Sequence, residues 1–162
     1  MAERWVINAS PVILLAKAGV ISFLPRLCAE LVIPAAVVGE VHNVHISDAG
    51  KLWLADAGRP FIRAAPAIHP ALASWSGGLG EAEVISWALQ NKGFIAVLDD
   101  RRARTLAVRN GVDVLGSLRV VVIAKERGFI PKAKPALEKL RGVGAYVTDA
   151  LIDRAIELAG ES

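Results

Sequence analysis

Residues 80–111 read GEAEVISWALQNKGFIAVLDDRRARTLAVRNG, and the order of patterns inside them decides the class of fold. Residues 80–93 open with acids at 81 and 83, carry apolar residues at helical spacing and stop at Gly93, which is the signature of a helix. FIAVL (94–98) is a short, wholly apolar run of the kind a strand covered on both faces requires. Asp99 and Asp100 end it. RRARTLAVRNG (101–111) then resumes the helical period until Asn110 and Gly111 stop it.

The alternation extends in both directions. RWVIN (4–8) reads as a strand, and Ser10 followed by Pro11 reads as the cap and first-turn residue of a helix running to about Ala18. LVI (31–33) is a second strand ended by Pro34, and AAVVGEVHNV (35–44) after it has helical spacing and carries Glu40. From 46 to 78 the pattern weakens to one helix (SDAGKLWLADAG, 47–58), a strand-like FIRAA (61–65) and a loop ending at SGG, and this stretch is expected to be an insertion. DVLG (113–116) is a short strand, and 117–128, 134–141 and 148–159 are helical segments. Strands alternating with helices in this way require a parallel sheet covered on both faces by right-handed crossovers.

A chain of 162 residues is one domain with one core. Its hydrophobic fraction of 54% and mean hydropathy of +0.44 are high. Even so, Lys17, Arg26, Glu40 and Asp56 interrupt the apolar runs before they reach the roughly 18 residues a membrane span needs. Asn8, Pro11 and Lys17 also break the opening segment as a signal peptide, so a soluble, cytoplasmic protein with no membrane partner is expected. The lone cysteine, Cys28, has no partner for an internal disulfide and reads as a small buried hydrophobe. A net charge of +3 is too small to argue for nucleic acid from the whole molecule. The local case is better, because Arg101, Arg102, Arg104 and Arg109 crowd one short helix.

In a parallel sheet the carboxyl ends of the strands form one rim, and the working crevice lies there, near a change in strand order. Asn8, Asp99 and Asp100 stand at such ends, and Glu40 and Glu81 lie on helices leaving the same edge. Carboxylates gathered at one place need a cation. Oxygen donors without thiols favour a hard ion, Mg²⁺ or Mn²⁺, which activates water and stabilises charge on a scissile phosphate. That is the chemistry of a metal-dependent nuclease.

Each residue also has a plainer reading. Asp99 and Asp100 suit the cap of the helix that follows them, and Glu81 and Glu83 suit a helix's first turn. Glu83 is assigned to that role. Glu40 sits in an otherwise apolar helix, where an unpaired Glu is unusual. His42 and His45 share a helical face but lack a third ligand, so they are assigned to the surface or core edge. The arginine set either grips phosphates or forms a solvated helix face. Trp5, Trp53, Trp75 and Trp87 lack the basic interleaving of a stacking platform and read as core or contact residues.

In this order, VINAS (6–10), VVGEV (37–41), GEAEVISWAL (80–89) and AVLDDRRAR (96–104) resemble PIN domains, including the VapC-like toxins of bacterial and archaeal toxin-antitoxin pairs. The resemblance is closer to a branch whose first motif reads N-x-S-P and whose tail resembles AKERGFIP (124–131) and VTDALIDRAIELAGE (147–161). It implies a three-layer α/β fold, with a central, mainly parallel sheet flanked by helices and a C-terminal helical extension from about residue 117. It implies a catalytic set of Glu40, Glu81 and Asp99 or Asp100 that binds Mg²⁺ or Mn²⁺. Glu40 matches the family's second acidic position, Glu81 the third, and Asp99 or Asp100 the fourth. Asp100 is preferred because the fourth acid follows a threonine-like position, here Leu98, by two residues. Asn8 stands where most active members have aspartate, and with Glu40, Glu81 and Asp100 it makes up the expected metal ligands. Ser10 matches a small hydroxyl residue beside the metal. With Arg101, Arg102 and Arg104 it is expected to contact RNA.

The expected function is therefore metal-dependent cleavage of single-stranded RNA by the toxin of a type II toxin-antitoxin pair. The expected partners are the RNA, a cognate antitoxin and a second copy of the chain. The surface for that homodimer is sought in the apolar excess at Val20, Ile21, Phe23, Leu24, Leu52, Trp53 and Leu54. The alternative is a non-catalytic PIN-like RNA-binding or protein-interaction module with a degraded acidic site. Asn8 is the residue that separates the two.

Overall fold

The computed structural model describes residues 3–44, 48–144 and 146–162. The chain opens with β1 (Arg4–Ile7), α1 (Ala9–Lys17), a short α2 (Leu24–Leu27), β2 (Glu30–Pro34) and α3 (Ala35–His42). After α4 (Asp48–Ala55) and a two-residue β3 (Ile62–Arg63) come α5 (Leu79–Gln90), β4 (Phe94–Val97), α6 (Arg101–Arg109) and β5 (Val114–Leu115). The chain closes with α7 (Ser117–Glu126), α8 (Lys134–Glu138) and α9 (Asp149–Leu158).

The strands of the described residues form one sheet in the order β3-β2-β1-β4-β5, and every pairing is parallel. Val6 sits between Val32 on one side and Ala96 on the other. β1 is thus the centre, and three of its four residues, Trp5, Val6 and Ile7, are wholly buried. Consecutive residues of one strand point to opposite faces, so this run means that helices cover both faces of the sheet. α5 lies across β1, β2 and β4, and α7 packs between α1 and α9. The first crossover carries the chain from β1 to β2 on one side, and the later one carries it to β4 on the other. The order therefore changes between β1 and β4, and Asn8 and Asp99 follow those two strands.

Three expectations need correction. The stretch from 46 to 78 is not an insertion, because Ile62 and Arg63 pair with Ile33 and Pro34 and make the edge of the sheet. Ser10 does not cap the first helix. The flanking residue is Asn8, in extended backbone and with no side-chain cap bond, and Ser10 is already inside the helix. The apolar excess between 20 and 54 is consumed by the chain's own core. Val20, Ile21, Leu24, Trp53 and Leu54 are buried, Phe23 packs on Phe129, and Leu52 is left 72% exposed.

The C-terminal helices are tied to the rest by charge as well as by packing. Glu161 accepts from the backbone N–H groups of Ala133 and Lys134, which closes the start of α8, and pairs with Lys125 at 3.5 Å. Arg141 bridges Glu138 on α8 to Asp149 and Asp153 on α9. The Arg141 pairs lie at the surface and the Lys125–Glu161 pair is half-buried, and their value lies in fixing the orientation of the helices.

Cys28 lies buried beside Trp5 and Glu30, and burial pushes its thiol up to about 12. A thiolate is the reactive form, so the native protein should resist a thiol reagent at pH 8. Reaction with such a reagent is expected to be complete in denaturant and negligible without it. Rapid labelling of the native chain would contradict this burial.

Candidate active site

The helices α1, α3, α5 and α6 begin at the carboxyl edge of the sheet because each is part of a parallel crossover, and α7 begins there because it directly follows β5. The first N–H groups of a helix have no partner within it and carry a partial positive charge. Carboxylates answer them. Glu40 accepts from Gly80 N–H at 2.6 Å, and Glu81 Oε1 accepts from Gly78 N–H at 3.1 Å, both at the start of α5. Asp100 is the cap of α6 and accepts from Arg102 N–H at 2.9 Å. Asp99 accepts from Ser117 N–H at 2.8 Å, at the start of α7.

These caps link three of the expected acids in pairs, Glu40 with Glu81 and Glu81 with Asp100. A Cβ built on Gly78 would lie 3.3 Å from Glu81 Oε1 and 3.6 Å from Glu40 Oε2, so the two carboxylates flank that glycine. Glu81 is also within hydrogen-bonding reach of Asp100. Gly80 has a steric role here. A Cβ there would fall 2.6 Å from Glu40 Oε1, so only glycine lets the backbone N–H approach the carboxylate so closely.

The electrostatics follow from the geometry. Burial, then the hydrogen bond with Asp100, then repulsion from Asp100 and Glu40 raise the Glu81 carboxyl to about 7, against the pull of Gly78 N–H. Its Oε2 is buried and has no hydrogen-bond partner among the described residues. The side-chain oxygen of Asn8 is in the same condition. That residue is only 6% exposed, and its backbone N–H donates to Val97 O at 3.1 Å.

Asp99 is differently placed from Asp100. Its Oδ2 accepts from Ser117 Oγ at 2.6 Å and from Ser10 Oγ at 3.1 Å, while Oδ1 takes Ser117 N–H. Both oxygens are committed, and the residue locks α1 and α7 to the end of β4. Asp100 spends one oxygen on its cap.

The arginines divide in the same way. Arg104 donates inward to Leu98 O at 3.1 Å, and Arg102 lies over the Trp75 ring and donates to Ser76 Oγ at 3.3 Å, which fastens the loop before α5. Arg101 is exposed beside the rim. His42 is exposed at the end of α3, as expected, and His45 lies outside the described residues.

Sequence reasoning missed Glu83, Ser117 and Tyr146. Glu83 is 4% exposed, and its carboxylate accepts from Ala36 N–H at 3.0 Å. It therefore fastens the start of α3, which carries Glu40, to α5, which carries Glu81. A buried acid answering a helix start is a positioning element, not electrostatic trim. Tyr146 comes from the C-terminal extension. Burial first, then the charges of Asp100, Glu81 and Asp99, push its phenol up, which sets the ring beside the acidic rim.

Among the described residues no three side chains of His, Cys, Asp or Glu stand close enough together to hold a metal ion. The donor chemistry nevertheless suits a hard cation. The set is all oxygen, its carboxylates repel one another, and Glu81 Oε2 and the Asn8 oxygen are buried without partners.

A parallel α/β sheet with an acidic rim at its change of strand order is a nuclease-like fold. The chain matches the family model described as a PIN domain over residues 4–161. It belongs to the PIN domain family, and the match takes in the C-terminal helices. No curated protein and no solved structure matches it.

Two outcomes are expected. Between pH 4.5, the ordinary value, and about 7 the folded chain retains a proton on Glu81 that the unfolded chain has released. Stability without divalent ions should therefore fall as pH rises through that window, by about 1–2 kcal/mol after allowance for solvent screening. Glu81→Gln should flatten this part of a denaturant titration series, and an unchanged slope would refute the assignment. Glu83→Ala leaves the Ala36 N–H unanswered, and should cost about 1–3 kcal/mol in the same measurement.

Proposed function

We propose that this PIN domain is a Mg²⁺- or Mn²⁺-dependent endoribonuclease acting on single-stranded RNA, and the toxin of a type II toxin-antitoxin pair. The observation that carries the reading is the Glu81 carboxyl, pinned by Gly78 N–H and pressed against Asp100 and Glu40 with one oxygen unsatisfied. Such an arrangement is costly alone and is relieved by a cation.

Glu40, Glu81 and Asp100, with the side-chain oxygen of Asn8, would hold the ion. When bound, the ion would supply an activated water and neutralise charge on the scissile phosphate. The chain's own residues set the stage. Gly78 and Gly80 N–H groups orient the two glutamates, Asp99 keeps Ser10 and Ser117 at the rim, and exposed Arg101 meets the phosphate backbone. Arg102 and Arg104 shape the approach, because both already have partners within the chain. The reading implies a cytoplasmic protein, a cognate antitoxin that restrains it, and a homodimer.

A second reading is favoured by Asn8. An amide at the end of β1 brings no negative charge and no base, which suits a module that binds RNA without cutting it.

The test is an end-labelled single-stranded RNA incubated with the full chain across a Mn²⁺ and Mg²⁺ titration. Cleavage is expected only with the ion, with Glu81→Gln lowering the rate by at least about a hundredfold. Calorimetry should show Asn8→Asp tightening Mn²⁺ by roughly one to three decades, the worth of one added charge in a partly solvated site. RNA binding without cleavage at every ion concentration establishes the second reading instead.

A further inference from the structure

We propose that Trp75, with Arg102 over its ring, is the positioning residue that holds Glu81 beside Asp100. The inference rests on the reading of those acids as a cation site, and it gives the indole a part in setting that site's affinity.

Glu81 depends on the residue that precedes its helix. It is the third residue of α5 and reaches back to the N–H of Gly78, which flanks the helix start. In a complete box of this kind a serine or threonine at the flanking position answers with its own side chain and so helps to fix the turn. Gly78 has no side chain to do so. The run Ser76, Gly77, Gly78 also contains two residues of the type that loses most conformational freedom on folding. The segment that aims Glu81 therefore takes its order from elsewhere.

The Trp75–Arg102 pair meets all three residues of that run. Arg102 donates to Ser76 Oγ at 3.3 Å. Gly77 lies so close to the indole that a Cβ there would overlap Nε1, Cε2 and Cζ2. Trp75 Nε1 donates to Gly78 O at 3.3 Å, and the same oxygen accepts from Ala82 N–H, the first bond of the helix. The guanidinium carbon of Arg102 stands 5.4 Å from the ring centroid, within reach of a cation–π contact. The indole is itself seated. It is half-buried against the core, and its backbone N–H donates at 3.0 Å to the carbonyl of Leu72, a buried residue.

Arg102 joins this arrangement to the other acid. Its backbone N–H donates to Asp100 Oδ1 at 2.9 Å while its side chain holds the loop. One residue thus fastens Asp100 through its main chain and the anchor of Glu81 through its side chain. The path from Asp100 through Arg102, Trp75 and Gly78 to Glu81 closes where the two acids meet. Groups that orient a ligand without touching the ion change metal affinity about ten- to a hundredfold when they are removed. The same contacts argue against a stacking platform for RNA bases, since the indole is already engaged by Arg102, Gly77 and Gly78.

The test compares Trp75→Ala and Trp75→Phe with the wild type in the full chain. Amide hydrogen exchange followed by NMR, without metal, reads the Gly78 N–H directly. Its exchange should speed up at least about tenfold in Trp75→Ala, and less in Trp75→Phe, which keeps a ring for Arg102 and Gly77. The amides of Ala36 and Ser117, held by Glu83 and Asp99, should keep their rates, which separates a local effect from a general loss of stability. Calorimetry without RNA should show Mn²⁺ binding weakened at least about tenfold by Trp75→Ala and largely recovered in Trp75→Phe. Where RNA is cleaved, Trp75→Ala should lower kcat and leave KM unchanged. The proposal is overturned if Gly78 exchanges no faster in Trp75→Ala, or if Ala36 and Ser117 speed up equally. It is also overturned if KM alone rises while Mn²⁺ affinity holds, which would make the indole a stacking platform. A wild-type chain that binds no Mn²⁺ overturns the metal-dependent reading instead, and the exchange comparison, made without metal, then decides the positioning role by itself.

Discussion

Five helices start at one edge of a parallel sheet, and the N–H groups of their first turns need acceptors. That requirement shapes the whole rim. Glu83 answers α3, Glu40 and Glu81 answer α5, Asp100 answers α6 and Asp99 answers α7. The partial positive charge of each helix start holds an anion in place, worth a fraction of a kcal/mol at an exposed site and more where water is excluded. Capping and site building are therefore one arrangement. A carboxylate that spends one oxygen on a cap is fixed in orientation and still has a second oxygen to offer.

The order of the strands decides which caps meet. β1 and β4 are neighbours in space but far apart in the chain, and the change of direction between them leaves a crevice flanked by Asn8 on one side and Asp99 and Asp100 on the other. Glu40 and Glu81 come from helices that pack together, with Glu83 bolting the second helix to the start of the first. Glycines at 78 and 80 admit the carboxylates to the backbone.

Much of this was legible in the sequence, for reasons that can be named. β1, β4, α5 and α6 have long or wholly apolar patterns, and the acids at their ends mark themselves. β3 is two residues long and pairs on one side, so it has no period to read, and the segment holding it looked like an insertion. Helical spacing puts Glu83 near the start of a helix, but does not show that it lies one turn inside α5 and faces the start of α3. The partner of Asp99 lies 18 residues away on another helix, a tertiary fact with no local signal. The apolar excess around Val20 and Trp53 was visible as excess. Whether it faced the chain's own core or a second chain depends on how α2 and α4 fold over α1, which composition does not encode.

Asn8 becomes intelligible against this background. It begins α1 at the same edge, yet its side chain makes no cap bond, and its oxygen is buried without a partner among the described residues. An aspartate there would add another negative charge to a rim where Glu81 is already raised to about 7 by burial and by its neighbours. Without a cation that addition would cost stability, because like charges in a partly buried site repel with little screening. Asparagine keeps the oxygen and omits the charge. Under the proposed metal-binding reading the position would trade cation affinity for tolerance of the cation-free state, and α1 begins at the rim without further charging it.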